Sequence, residues 1–164
     1  MGKALLITLL VLAVTGVAWA GSVGPSATGG AHLVVHDVFG LQTLELQTFS
    51  FNARSVGDGA DGWFEYREID DGAPFSASGP VSCLTVIGND AWIGGEISRS
   101  NDPSYVGSGA WWHVTDNGGG SGASADVTTF MGAGSLAETR AFCDTHPAYK
   151  HPFAIDNGNI QVHG

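Results

Sequence analysis

Leu44-Glu45-Leu46-Gln47-Thr48-Phe49-Ser50-Phe51-Asn52-Ala53 runs into Gly57-Asp58-Gly59-Ala60-Asp61-Gly62, then Trp63-Phe64-Glu65-Tyr66-Arg67-Glu68-Ile69. This stretch decides the fold class. Its first part alternates. Leu44, Leu46, Thr48, Ser50 and Asn52 share one face of an extended chain; Glu45, Gln47, Phe49, Phe51 and Ala53 share the other. The last part alternates too, with Phe64, Tyr66 and Glu68 opposite Trp63, Glu65 and Arg67. Gly and Asp between them supply the dihedrals a tight turn needs. Two strands and a turn make a hairpin. The apolar side moves near Thr48, from the leucines to the phenylalanines. Such a switch marks a bulge, or a strand passing between sheets.

The same pattern continues on both sides. His32 to Val38 mixes apolar and polar residues and reads as a short first strand. Pro80 to Ile87 is rich in β-branched residues, with Val81, Cys83, Thr85 and Ile87 expected on one face. Gly88-Asn89-Asp90 turns it back into Ala91 to Ser98, whose Gly94 and Gly95 permit close backbone approach. Ala110 to Thr115, Asp126 to Met131 and Phe153 to Val162 are further strands, and Leu136 to Cys143 is the one helical turn expected. About seven or eight short strands with turns at short intervals imply an all-β fold. The choice is between a small antiparallel up-and-down barrel and a β-sandwich, and the sequential hairpins tilt it toward the barrel.

Further out, the N-terminus carries an export signal. Lys3 precedes an uncharged run from Ala4 to Ala18, and Ala18-Trp19-Ala20 supplies the small-x-small pattern of a cleavage site. The run is shorter than the ~20 apolar residues of a transmembrane anchor and contains Thr8, Thr15 and Gly16. Residues 1–20 therefore read as a signal peptide, 21–30 as a flexible Gly/Ser/Ala leader, and 31–164 as a single β domain. That places the mature chain in the periplasm or outside the cell. No membrane span is expected in it.

Composition narrows the partners. The whole chain has 16 acidic and 6 basic residues, and one of the basic ones is Lys3. So acidic a surface repels nucleic acid and anionic membranes. Cys83 and Cys143 are the 2 cysteines. In an oxidising compartment such a pair bonds. Closing a loop of about 60 residues is worth roughly 4 kcal/mol in the chain-entropy model.

Thr48 to Arg54, Asp61-Gly62, Val81 to Ala91 with Gly94-Gly95, and Asp116-Asn117-Gly118-Gly119-Gly120 together carry a resemblance. The chain is similar to a group of small secreted bacterial proteins whose activity is not established. The similarity spans Gly29 to Val127 and returns at Asp156 to Ile160. It implies an exported β-rich domain and brings no catalytic residues with it.

Four sets of residues are candidates for chemistry. Asp58, Asp61, Asp116 and Asp126 lie in Gly-rich loops and are candidate calcium ligands, since calcium takes 6–8 oxygens from a pliant backbone. The loops lack the regular spacing of a calcium-binding loop, however, and Asp and Gly are also ordinary hairpin residues. The histidines come second. His32 and His36 would sit about 13 Å apart on one strand face, too far for one metal. His146 and His151 could converge on His113, without anything that fixes a zinc geometry. Third, Trp92, Trp111, Trp112, His113 and Glu96 are candidates for contact with a sugar or small apolar ligand. Trp111 and Trp112 must face opposite sides of a strand, one in the core and one at a rim. Fourth, no nucleophile elbow, His-Glu-x-x-His or phosphate loop is present. The leading expectation is a non-enzymatic secreted domain that binds a small ligand or partner, or has a structural role. The alternatives are a small extracellular hydrolase or isomerase using Glu96 or His113, and a polymerising cell-surface protein. No cofactor other than calcium is suggested.

Overall fold

The computed structural model describes residues 24–36, 44–70, 72–119, 122–149 and 152–164. The stretch read as a signal peptide, the first residues of that read as leader, the end of the expected first strand at Val38, Ser121 and His151 lie outside them. The strands are β1 (Ser26–His36), β2 (Leu44–Val56), β3 (Gly59–Asp70), β4 (Ala73–Ile87), β5 (Asp90–Glu96), β6 (Arg99–Ser100), β7 (Gly109–Thr115), β8 (Val127–Thr128), β9 (Gly132–Gly134), β10 (Phe153–Ala154) and β11 (Asn157–His163). Among the described residues one α-helix, α1 (Leu136–Thr145), follows β9, and a single 3₁₀ turn spans Pro103–Tyr105.

The all-β reading holds. Among the described residues the strands form one 11-stranded antiparallel sheet, in the order β10-β8-β7-β5-β4-β3-β2-β1-β11, with β6 on β4 and β9 on β7. The expected count of seven or eight is therefore too low. β6 and β9 lie outside every expected strand, and the strand expected from Phe153 to Val162 divides into β10 and β11. β6, β9 and β10 are two or three residues long, and a period of two cannot be read from so few positions. β1 also begins earlier than expected. It starts at Ser26, inside the stretch read as leader, because Ser26 to Gly30 pair with Ser50 to Arg54 of β2 and with β11. The small residues are there because space is short: a Cβ on Gly29 would lie 3.0 Å from both Ile160 and Phe51.

The sheet curls into a half-barrel, and its concave side is the core. Leu33, Phe51, Phe64, Val81, Ile93, Trp112 and Ile160 pack there. The bulge occurs in β4, where the register with β5 shifts between Val81 and Cys83, and not in β2. The shift undoes the expected shared face of Val81 and Cys83. Val81 stays in the core, while Cys83 turns outward to α1. β2 runs in unbroken register against both β1 and β3. The apparent switch near Thr48 is thus no bulge: Glu45 and Gln47 follow the same alternation as Phe49 and Phe51 and point inward, polar or not.

The two sheet edges meet through one segment. Phe153 and Ala154 pair with β8, and three residues later Asn157 begins to pair with β1. Between them Ile155 N–H donates to the Asp126 carbonyl at 3.0 Å, and Asp156 N–H to the His32 carbonyl at 3.1 Å. On its other side, β11 finds carboxylates instead of a neighbouring strand. Ile160 N–H donates to Asp126 Oδ2 at 2.8 Å and Val162 N–H to Asp116 Oδ2 at 2.9 Å. Backbone donors at a sheet edge need partners when water is excluded, and these aspartates supply them.

α1 lies on the convex face against β4, β5 and β7. Ser135 caps it: Glu138 N–H donates to Ser135 Oγ, and Glu138 Oε2 accepts from Ser135 N–H at 2.8 Å, closing a capping box. His146 ends it in a left-handed conformation at φ 48°. Gly94 lets the helix sit close, since a Cβ there would fall 2.5 Å from Thr139 Cγ2 and 2.8 Å from Cys83 Sγ. The Cys83–Cys143 disulfide then pins α1 to β4, as the cysteine content predicts.

Candidate functional site

The five residues expected to contact a ligand do not form one site. Trp112 faces the core, its ring centroid 5.8 Å from Phe51 and 5.3 Å from Phe64. Trp111 faces outward under α1, 6.3 Å from Phe142. Their opposite placement matches the expectation for neighbours on a strand. Trp92 and His113 share the convex face, with ring centroids 4.6 Å apart. Glu96 is exposed at the end of β5.

The aspartates expected to bind calcium are also dispersed. Asp58 and Asp61 are exposed at the β2–β3 hairpin, where the Asp58 carbonyl accepts from Arg140 Nη1 at 3.0 Å. Asp116 and Asp126 sit at the seam with their carboxylates already engaged by backbone donors: Asp126 Oδ1 accepts from Asn117 N–H at 2.8 Å and Asp116 Oδ1 from Gly118 N–H at 2.8 Å. Among the described residues no three His, Cys, Asp or Glu side chains gather in a group that could hold a metal ion.

On the convex face, β5 and β7 place Asp90 and His113 side by side. His113 Nε2 lies 2.9 Å from Asp90 Oδ1, and Thr115 Oγ1 donates to the same oxygen. Burial lowers the pKa of His113 from its ordinary value, and Asp90 opposes that shift. Trp92 covers one side of the imidazole and donates through Nε1 to the Pro147 carbonyl at 3.1 Å. The His146 ring meets Trp92 edge-on at 5.4 Å. The pair is an acid–imidazole dyad; the Thr115 hydroxyl sits on its carboxylate, and among the described residues no hydroxyl or thiol is bonded to the imidazole itself.

Inside the half-barrel lies a second constellation, which the sequence reading missed. β2 contributes Glu45 and Gln47, and β3 contributes Tyr66 and Glu68, with Gln47 directly opposite Glu68 and Glu45 opposite Asp70. Gln47 is 0% exposed, Glu45 8% and Tyr66 6%. Gln47 Nε2 donates to Glu45 Oε2 at 3.3 Å, and Tyr66 O–H donates to Glu68 Oε2 at 2.8 Å. Gln47 Oε1 is buried with no partner among the described residues. Turning the amide over only exchanges which end goes unpaired. Phe75 on β4, opposite Glu68, adds a ring 6.4 Å from Tyr66. Among the described residues, neither ion pair involves Glu45, Glu68 or Asp70; those pairs are His113–Asp90 and Arg140–Asp144.

Burial and then the nearby charge of Glu68 raise the pKa of Glu45 above the ordinary carboxyl range, with Gln47 opposing and Asp70 adding to the rise. Burial, Glu68 and Glu45 push the Tyr66 hydroxyl upward too, so it stays a donor. The sign for Glu45 follows. The folded state holds its proton more tightly than the unfolded one, so stability falls as pH rises from the unfolded pKa through the folded one. Glu45→Gln keeps the acceptor for Gln47 and removes the charge. The variant is expected to be more stable than the parent near pH 7 and to lose that advantage near pH 4. Urea unfolding at the two pH values checks this; an equal difference at both would refute it.

A third feature is a void beside Trp112. Phe49, Phe64, Tyr66, Thr128, Thr129 and Met131 line it, and its volume is about 10 Å³. Trp112 also lines it, and its Nε1 is buried without a partner among the described residues. The space suits about one water, far below the ~300 Å³ of an ordinary ligand pocket.

Neither a protein-family model, nor a curated protein, nor a solved structure matches this chain.

The signal for the interior cluster was present in the sequence. Glu45 and Gln47 were assigned to the same face as Phe49 and Phe51, and an unbroken period of two puts all four inside.

Proposed function

We propose that the chain is an exported domain that binds a small ligand and does not catalyse, with its site at the polar end of the half-barrel interior. Gln47 carries the reading: a fully buried amide oxygen without a partner, beside a buried carboxyl group. Leaving such an acceptor unpaired costs about 1–3 kcal/mol, and a ligand that donates to it recovers that energy. The packed core around Trp112 speaks against a large apolar ligand. Export rests on the Met1–Ala20 pattern, on the resemblance to small secreted bacterial proteins and on the Cys83–Cys143 bond. The seam of Asp116 and Asp126 supports the finer reading of the half-barrel as an up-and-down barrel closed by side chains.

The test is a screen of charged and neutral small molecules against the domain from Gly21 onward. Thermal unfolding finds binders, and the Gln47 side-chain amide resonances place them. A ligand that raises the midpoint and shifts Gln47 is expected. Binders that shift only surface resonances would end this assignment.

The Asp90–His113 dyad favours a second reading, a small extracellular hydrolase or isomerase. There, Asp90 would orient the imidazole and His113 would act as general base. His113→Ala should then lower any activity found by about 100-fold or more. An unchanged rate removes the reading.

A further inference from the structure

The polar end of the interior has an unequal supply of hydrogen-bond partners. Two donors are present, Gln47 Nε2 and the Tyr66 hydroxyl, and both are engaged with carboxylates. Left over are the second N–H of the Gln47 amide and, on the other side, Gln47 Oε1 and the remaining lone pairs of Glu45 and Glu68, so free acceptors outnumber free donors. Buried Glu45 and half-buried Glu68 face the same corner from β2 and β3, with exposed Asp70 opposite Glu45, and no cationic side chain is paired to them among the described residues. Burying a carboxylate such as Glu45 without a counter-charge is costly. The walls are aromatic: Tyr66 and Phe75 lie 6.4 Å apart, and Tyr105 stands 5.1 Å beyond Phe75. A group that brings several donors and a positive charge answers each of these features. Its N–H bonds meet the acceptors, its charge offsets the carboxylates, and the ring faces attract it.

We propose that the Glu45–Gln47–Glu68 corner, walled by Tyr66 and Phe75, binds a small protonated primary amine. This rests on the binding reading above and names its ligand class. A metal ion is the less fitting cation, because no three carboxylate or imidazole groups converge among the described residues. A quaternary ammonium offers charge but no N–H for Gln47 Oε1. A neutral alcohol offers one donor but no charge.

The experiment titrates the disulfide-bonded domain at pH 7.5 with n-butylammonium, tetramethylammonium, 1-butanol and calcium chloride separately. It follows the Gln47 side-chain amide by NMR and the unfolding midpoint by calorimetry. Butylammonium should shift Gln47 saturably and raise the midpoint, with tetramethylammonium at least about tenfold weaker. Glu45→Gln and Glu68→Gln, each checked for its fold by circular dichroism, should each weaken butylammonium by about tenfold or more. Tetramethylammonium or calcium binding as tightly as butylammonium overturns the proposal. So does butylammonium binding that ignores both substitutions. Saturable 1-butanol binding at Gln47 without butylammonium overturns the amine assignment but leaves an interior ligand site standing. No shift at Gln47 with any probe overturns both.

Discussion

Replacing Cys83 and Cys143 together with alanine is expected to destabilise the domain by about 4 kcal/mol and lower its unfolding midpoint by about 15 °C. The bond spans a sequence separation of 60, a long loop whose closure restricts the unfolded chain strongly. It also has a local task. α1 is held to the convex face chiefly through Trp111–Phe142 stacking, Thr139 over Gly94, and the Thr85 Oγ1 bond to the Cys143 carbonyl at 2.9 Å. Without the covalent link these contacts must keep a ten-residue helix in place by themselves. The double variant should therefore show faster amide exchange in α1 than in β2 and β3, besides its lower midpoint. Differential scanning calorimetry and hydrogen exchange on oxidised parent and variant test both parts. A loss below about 1 kcal/mol would mean that the reduced, unfolded chain is already compact.

Asp126→Ala should have the next largest effect, about 3 kcal/mol, concentrated at the seam. The Asp126 side chain is 6% exposed and accepts from two backbone donors on different segments, Asn117 N–H and Ile160 N–H. Alanine strands both, and each orphaned buried donor costs about 1–3 kcal/mol. Asp116→Ala removes acceptors for Val162 and Gly118 at a less buried position and should cost less. In the Asp126 variant the amides of β11 should exchange much faster than those of β3. Uniform loss of protection across the sheet would show that the seam is not a separate element. If calcium added to the parent changed neither its midpoint nor its Asp116 and Asp126 resonances, the structural role of these carboxylates would be complete.

Much of the architecture was legible in the residues. The β2–β3 hairpin, β5 with its glycines, β7 with its divided tryptophans, the single helix and the disulfide all follow from alternation, turn chemistry and cysteine count. What escaped had physical reasons. Strands of two or three residues carry no period, so β6 and β9 escape the pattern, and the strand expected from Asp126 to Met131 shrinks to the two residues of β8. Asp116 and Asp126 have the composition of an ion loop, yet their role depends on β11, far away in sequence. The candidate site was hidden by a rule of thumb. Glu45 and Gln47 are polar, and a polar pair on an otherwise apolar face suggests a register change, whereas the chain keeps its register and buries them. The β4 bulge gave no composition signal, because Val81, Cys83 and Thr85 suit either face.

β1 pairs along its whole length with β2 on one side, and from Ser26 to His32 with β11 on the other. The first described strand and the last are thus neighbours. Contacts between such distant positions give the fold a high contact order, and high contact order slows folding. During synthesis the growing chain can form its central hairpins but lacks the partner for the free side of β1 until residues 157–163 have emerged. A sheet that is completed only by its last described strand leaves the polypeptide threadable for longer, a state that the proposed export would require.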